Sequence, residues 1–598
     1  MAMSGTRKTL LIIGGIVLAL VLVAVIGIAI IAASINSGPS IENNSVLVLK
    51  ISGDLPDFSS ENPMAQLLGN EPQTSFASVL TNLRKAKVDK RIGGVLLDIE
   101  FPAIGWGKAD ELREAIADFK SSGKPVYAYM ELGMNKEYYI ATAADKIFVP
   151  PTGDLYINGL QAEATFYRGS LDKLGIEPEV IQIGKYKNAP DSYTRKEMSE
   201  AQREVINALL DDFYGRLVGG IAETRGKTPD EVRAIIDNAP YNAVQAQQQN
   251  LIDGAIYRDD VHNQLKKQLG YTESESLNFT SESKYREVTP ESVGLAGGER
   301  VAVIFASGGI MSGKSNDGSF GGAQTAGSDT LVKAINDAAA DSSIKAIILR
   351  VDSPGGSALA SDLIWHAIEN AKTKKPVVTS MGDVAASGGY YIAANSNKIV
   401  AEPTTVTGSI GVFLGKPNVR GLYDWLGINS QTVTRGKNAG IFDVGRNWTP
   451  EERAVFENQA KNIYYDNFVP KVAAGRGRAK EYIDSIGQGR VWTGRQAKEN
   501  GLVDEFGGLN KAIEIAKQLA NLPADKEVKR VVFPAPKPFF QEVFGSGDEE
   551  ATVQSKQQEA LMQALPEDAR RLFRYAALFD AMKRGETMAM MPFELNIK

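Results

Sequence analysis

A chain of 598 residues is longer than one hydrophobic core supports, so at least two domains are expected, and a hydrophobic fraction of 43% marks them as globular. The net charge of −6, spread without a long block of one sign, gives no footprint for a nucleic acid. Absence of cysteine excludes disulfides, thiolate catalysis and cysteine-ligated metals, and two histidines, His262 and His366, leave no imidazole-rich metal site and little room for a Ser-His-Asp triad.

Residues 9–34 carry no charge and are almost wholly Leu, Ile, Val, Ala and Gly, and about 20 apolar helical residues cross a bilayer. An uncleaved transmembrane anchor is expected there, because the apolar core of a cleaved signal peptide runs to only about 7–15 residues. Arg7 and Lys8 keep residues 1–8 in the cytoplasm by the positive-inside rule and put the rest of the chain on the far side of the membrane. In a Gram-negative bacterium that side is the periplasm.

Beyond the anchor the chain repeats itself. Ser45 to Ile51 reads as a buried strand and returns as Arg300 to Phe305. Asp89 to Ile99 returns as Asp341 to Val351, and Tyr138-Tyr139-Ile140-Ala141 as Tyr390-Tyr391-Ile392-Ala393, at a spacing of 252 residues. Leu174-Gly175-Ile176 pairs with Leu426-Gly427-Ile428 at the same spacing, and Lys187-Asn188-Ala189 with Lys437-Asn438-Ala439 after a two-residue shortening. Strands alternate with helices in both halves, which predicts two tandem α/β domains with parallel sheets, over residues 45–275 and 299–520. The boundary falls in the polar stretch Ser274 to Gly298, and residues 521–598 form a C-terminal extension with an extended Pro-rich start and a helical stretch from Thr552 to Arg584.

One repeat serves as a control for the other. The second reads Asp352-Ser353-Pro354-Gly355-Gly356-Ser357 where the first reads Glu100-Phe101-Pro102-Ala103-Ile104-Gly105, and Ser387-Gly388-Gly389 where the first reads Asn135-Lys136-Glu137. A serine before two glycines, at the end of the apolar strand Pro376 to Ser380, suits a tight turn that presents a hydroxyl as nucleophile. Gly355 and Gly356, between a buried strand and a helix, offer backbone N–H groups for an oxyanion, and Gly388 offers another. No Gly-Lys-Ser/Thr follows, so a phosphate loop is not indicated.

A serine hydroxyl needs a base. With histidine so scarce, a lysine whose pKa is lowered by desolvation is the next choice. The duplication narrows the field to the paired positions Lys187 and Lys437, each just beyond a strand.

The apolar N-terminus, the duplication, and the motifs DSPGGS, ASGGYY, TGSIG and GKYKNA together resemble the long form of the bacterial signal peptide peptidase A, or protease IV, family. The resemblance spans roughly residues 45–520 and the anchor. It implies tandem Clp/crotonase-like domains, Ser387 as nucleophile, Lys187 from the first repeat as general base, and Ser409 as the hydroxyl that orients the lysine. It further implies cleaved signal peptides and other unfolded apolar peptides as substrates, a homo-oligomer, a tetramer in the long form, at the bacterial inner membrane, and no cofactor. On this reading Lys437 is a vestige of a single-domain ancestor, and Lys185 is a weaker alternative to Lys187. Two rivals from other classes are a crotonase-like acyl-CoA enzyme, which uses similar N–H pairs, and a non-catalytic membrane scaffold.

Overall fold

The structure is a computed structural model that describes residues 39–59, 73–295, 297–316, 324–534, 587–591 and 596–597. The expected anchor at 9–34 and the helix expected from Thr552 to Arg584 lie outside these residues. Among the described residues no helix is long and apolar enough to cross a membrane.

Each repeat builds a parallel sheet from short β-branched and aliphatic runs. In the first, the strand order is Gly254–Ala255, Lys146–Val149, Val126–Tyr129, Ile92–Pro102, Ser45–Gly53, Phe279–Ser281, all neighbours parallel. In the second, Lys529–Phe533, Arg300–Ser307, Ile344–Ser353, Val377–Ala386 and Val406–Gly408 follow the same plan, with Lys398–Ala401 also on Val377–Ala386 and an antiparallel partner at Val491–Thr493. Helices cover the faces, so the central strands are buried on both sides and read as continuous apolar runs. Both sheets take in a strand beyond the domain ends expected from sequence: Phe279–Ser281 follows residue 275, and Lys529–Phe533 follows residue 520. The first is three residues inside a polar stretch, and the second opens on two basic residues and runs into prolines, which hides both from a hydrophobicity reading.

The duplication extends to single hydrogen bonds. Tyr138 Oη donates to the Leu251 carbonyl at 2.7 Å, and Tyr390 Oη to that of Leu502 at 2.9 Å. Tyr139 donates to Asp110 as Tyr391 does to Asp362, and Asp253 and Asp504 each accept the N–H of a strand residue, Ile147 and Ile399, at 2.8 Å.

A third sheet joins the repeats. Its order is Thr325–Gly327, Gly309–Met311, Gly355–Ser357, Met588–Met590, Val412–Asn418, Glu177–Ile183. Glu177–Ile183 of the first repeat runs antiparallel to Val412–Asn418 of the second, in unbroken register from Ile183 against Val412 to Glu177 against Asn418. The residues just after Ile183 are thereby delivered to the second repeat.

Candidate active site

Ser387 closes the strand Val377–Ala386 and precedes the short helix Gly388–Ala393. Its backbone sits at φ 54°, ψ −112°, a conformation that costs a non-glycine residue on the order of 1–3 kcal/mol. The surroundings enforce it: Ser387 N donates to Gly408 O at 2.7 Å, and Tyr391 N donates to Ser387 O at 2.8 Å. The glycines after it are a matter of space. A Cβ on Gly388 would lie 2.6 Å from Ser361 Oγ, and one on Gly389 2.7 Å from Ser353 O. In the first repeat the matching Asn135 is buried, and its amide donates to Gly159 O at 2.9 Å in a purely local arrangement.

Lys187 lies four residues beyond the cross-repeat strand Glu177–Ile183, and its side chain is fully buried. Its Nζ stands 2.7 Å from Ser387 Oγ, 3.0 Å from Ser409 Oγ and 3.3 Å from Ser409 O. Ser387 Oγ has a second partner in Gly411 O at 3.4 Å. Ser409, at φ 52°, is fixed by its own N–H to Arg490 O at 2.7 Å. Burial alone drives the Lys187 pKa well below its ordinary value, since no carboxylate contributes. Burial thus favours the neutral amine, the form that can accept a proton from the hydroxyl it touches.

The other lysines are elsewhere. Lys437 is exposed in a loop, and Lys185 is exposed beside Tyr186. His262 packs against Phe279 with the rings tilted at 52°, and His366 pairs with Asn370 at 3.2 Å on a helix surface; neither makes a hydrogen bond to Ser387. No cluster of metal-ligating side chains occurs among the described residues.

Gly355 and Gly356 lie between the buried strand Ile344–Ser353 and the helix Ala358–Lys372, as expected, but in a short strand of their own, Gly355–Ser357, and the helix begins only afterwards, capped by Ser357 Oγ. Gly355 N donates to Ser353 Oγ at 3.1 Å. Backbone groups of the strand, not the helix end, therefore face the Ser387 turn. Alongside runs Met588–Met590, antiparallel, with Gly355 opposite Met590, Gly356 opposite Ala589 and Ser357 opposite Met588. The Ala589 carbonyl lies in the gap between Gly355 and Gly388: added Cβ atoms there would come within 2.1 Å and 3.0 Å of it. Sequence reading missed this strand, because three residues with a methionine at each end carry no strand signal of their own. It also missed Gly489, at φ 77° against the Lys187 backbone, although glycine at 487 and 489 just before a strand was a visible clue.

A model of peptidase family S49 matches the chain twice, over residues 118–272 and 369–523. The chain belongs to peptidase family S49. Among S49 relatives, a chloroplastic serine protease SPPA of Arabidopsis thaliana is 38% identical, over 83% of this chain and 72% of its own. Protease 4 of Salmonella typhi is 35% identical over 80% of this chain and 78% of its own, and Protease 4 of Haemophilus influenzae 30% identical over 82% and 81%. The S49 chain is thus a serine peptidase built from two tandem S49 domains, which sets aside the acyl-CoA and scaffold readings.

Proposed function

We propose that this chain is a membrane-anchored endopeptidase that degrades remnant signal peptides through a Ser387–Lys187 dyad. The observation that carries the reading is the 2.7 Å contact between Ser387 Oγ and a buried Lys187 Nζ that has no carboxylate partner among the described residues. Lys187 takes the hydroxyl proton as Ser387 attacks a peptide carbonyl. The proton passes to the leaving amine, an acyl-enzyme remains, and Lys187 then activates the water that releases it. Ser409 keeps the amine pointed at Ser387, and Gly388 with Gly355 or Gly356 holds the oxyanion.

An extended peptide is supported as substrate by the edge that Gly355–Ser357 offers, which accepts an antiparallel strand at Met588–Met590. Met311, Phe413 and Ala189 line that edge with apolar surface, which suits the apolar core of a signal peptide. The two repeats, with paired sheets wrapped by helices, are consistent with the Clp/crotonase-like fold. The 26 uncharged residues at 9–34 support the anchor, with the domains on the periplasmic side of a bacterial inner membrane.

A homo-oligomer is supported by the duplication itself. Residues 429–435 are the counterpart of Glu177–Ile183, yet they are exposed and pair with no strand among the described residues, with Val433 86% exposed. A second copy offering the first-repeat counterpart of Val412–Asn418 would complete the same pairing, and four chains would close a ring. The test is hydrolysis of a synthetic signal peptide in detergent: Ser387→Ala and Lys187→Ala should each lack activity, and an active Ser387→Ala enzyme would end the reading.

A further inference from the structure

Lys108 belongs to the first repeat, at the start of helix Trp106–Lys120, but its ammonium is buried where the two repeats meet and makes its shortest ion pair with the second. Nζ lies 2.7 Å from Asp352 Oδ2, 3.7 Å from Asp57 and 3.9 Å from Asp383. The lysine and Asp352 occupy a gap in the sheet. Val351 pairs with Met381, but the next pair is Ser353 with Ala385, so Asp352 alone faces three residues of the neighbouring strand. Its second oxygen fills the gap by accepting Val384 N at 3.0 Å. Asp383, four residues before Ser387, accepts Gly105 N and Lys108 N at 2.7 Å each and caps the first-repeat helix. Arg350 holds Asp57 at 3.2 Å and Glu111 at 2.7 Å, which fixes the far side of the cluster.

The two segments that flank this bulge lead, within three or four residues, to Gly355 and to Ser387. The first repeat has no such arrangement: Glu100, the counterpart of Asp352, is exposed and pairs with Lys50 on the surface, and Glu131, the counterpart of Asp383, is exposed. The buried cation therefore goes with the copy that carries the serine.

We infer that Lys108 is a positioning residue for hydrolysis: by tying Asp352 to the first repeat it sets the spacing between the Gly355 strand and Ser387. This rests on the dyad reading of Ser387. The second repeat then borrows two lysines from the first, Lys187 at the reacting atoms and Lys108 behind them. A bulge left without its cation relaxes toward regular pairing, which moves Gly355 relative to Ser387, and misplacement by about 1 Å is worth roughly a hundredfold in rate.

The full-length enzyme in detergent provides the test, as wild type, Lys108→Met, Lys108→Arg, Asp352→Asn and Arg84→Met. Arg84 pairs with Glu527 across the repeats at 3.0 Å but leads to neither loop. Readouts are peptide hydrolysis, fluorophosphonate labelling of Ser387, and affinity for a peptide boronate. Lys108→Met and Asp352→Asn should each lower kcat about 10- to 100-fold with KM within about twofold, and weaken boronate binding by the same factor as kcat/KM. Lys108→Arg should recover most of the loss, Arg84→Met should resemble wild type, and combining Lys108→Met with Asp352→Asn should add little. Wild-type kcat in folded Lys108→Met overturns the inference; if that variant does not fold, wild-type kcat in Asp352→Asn does so. Failure of wild-type Ser387 to label would instead remove the dyad reading, and this inference with it.

Discussion

Gly489 lies flat against the backbone of Lys187: a Cβ at Gly489 would stand 2.5 Å from Lys187 N and 2.6 Å from its Cα. Gly489 also sits at φ 77°, a conformation that disfavours a side chain. A second-repeat loop thus presses the first-repeat lysine into place, helped by Tyr186 N donating to Gln488 O at 2.7 Å. Gly489→Ala should push Lys187 away from Ser387 and lower kcat by roughly a hundredfold. Wild-type kcat in a folded Gly489→Ala enzyme would show that the lysine needs no such seat.

The lowered pKa of Lys187 fixes the sign of the pH dependence. In the proposed mechanism the neutral amine is the working form, so kcat/KM should rise as pH climbs through the folded-state value of Lys187 and fall on the acid side. Stability moves the same way. The unfolded lysine binds its proton more tightly than the folded one, so between the two values the fold gains about 1.4 kcal/mol per pH unit as pH rises toward about 10.5. Lys187→Met should therefore be more stable than wild type at low pH, with the gap shrinking as pH rises. Thermal melts across pH measure it, and a gap independent of pH would mean that Lys187 is charged in the fold.

In the proposed mechanism Ser409, unlike Lys187, takes no part in the proton transfer itself. Ser409→Ala removes the 3.0 Å partner of Nζ but leaves the Ser409 carbonyl, at 3.3 Å, in place. About a 10- to 100-fold drop in kcat is expected, with little change in KM. Lys437→Ala, in an exposed loop, should be indistinguishable from wild type in hydrolysis.

The strand Met588–Met590 occupies the edge that a substrate strand would use. Truncation before Thr587 frees that edge and also releases Ala358 N from Thr587 O and Met591 N from Pro354 O. KM for a short apolar peptide should fall several-fold with kcat held, because the edge no longer has to be vacated first. An unchanged KM would place the substrate strand elsewhere.

Much of this was legible in the sequence, and the reason is the duplication. Tyr138-Tyr139 against Tyr390-Tyr391 exposed the repeat, and the contrast of Asn135 with Ser387 then singled out one position among many serines. Pairing Lys187 with Lys437 left two bases. What separated them in space is the antiparallel register of Glu177–Ile183 on Val412–Asn418, a contact more than 200 residues apart in the chain that no local pattern encodes. The same limit hid Lys108. On its own helix it is one more lysine of 66 basic residues, and its burial follows from a sheet bulge in the other repeat. The closing strands at 279–281 and 529–533 were lost for a smaller reason: the first is three residues in a polar stretch, and the second begins with two basic residues and runs into a Pro-rich segment.

Whether a lysine of one repeat activates the serine of the other is tested most directly by the rate at which a fluorophosphonate acylates Ser387, read from the labelled peptide, in wild type and Lys187→Ala. Label on Ser387 in wild type, with a rate at least about a hundredfold lower in folded Lys187→Ala, is the expected result. Equal rates in the two enzymes, or label on a different serine, would contradict it.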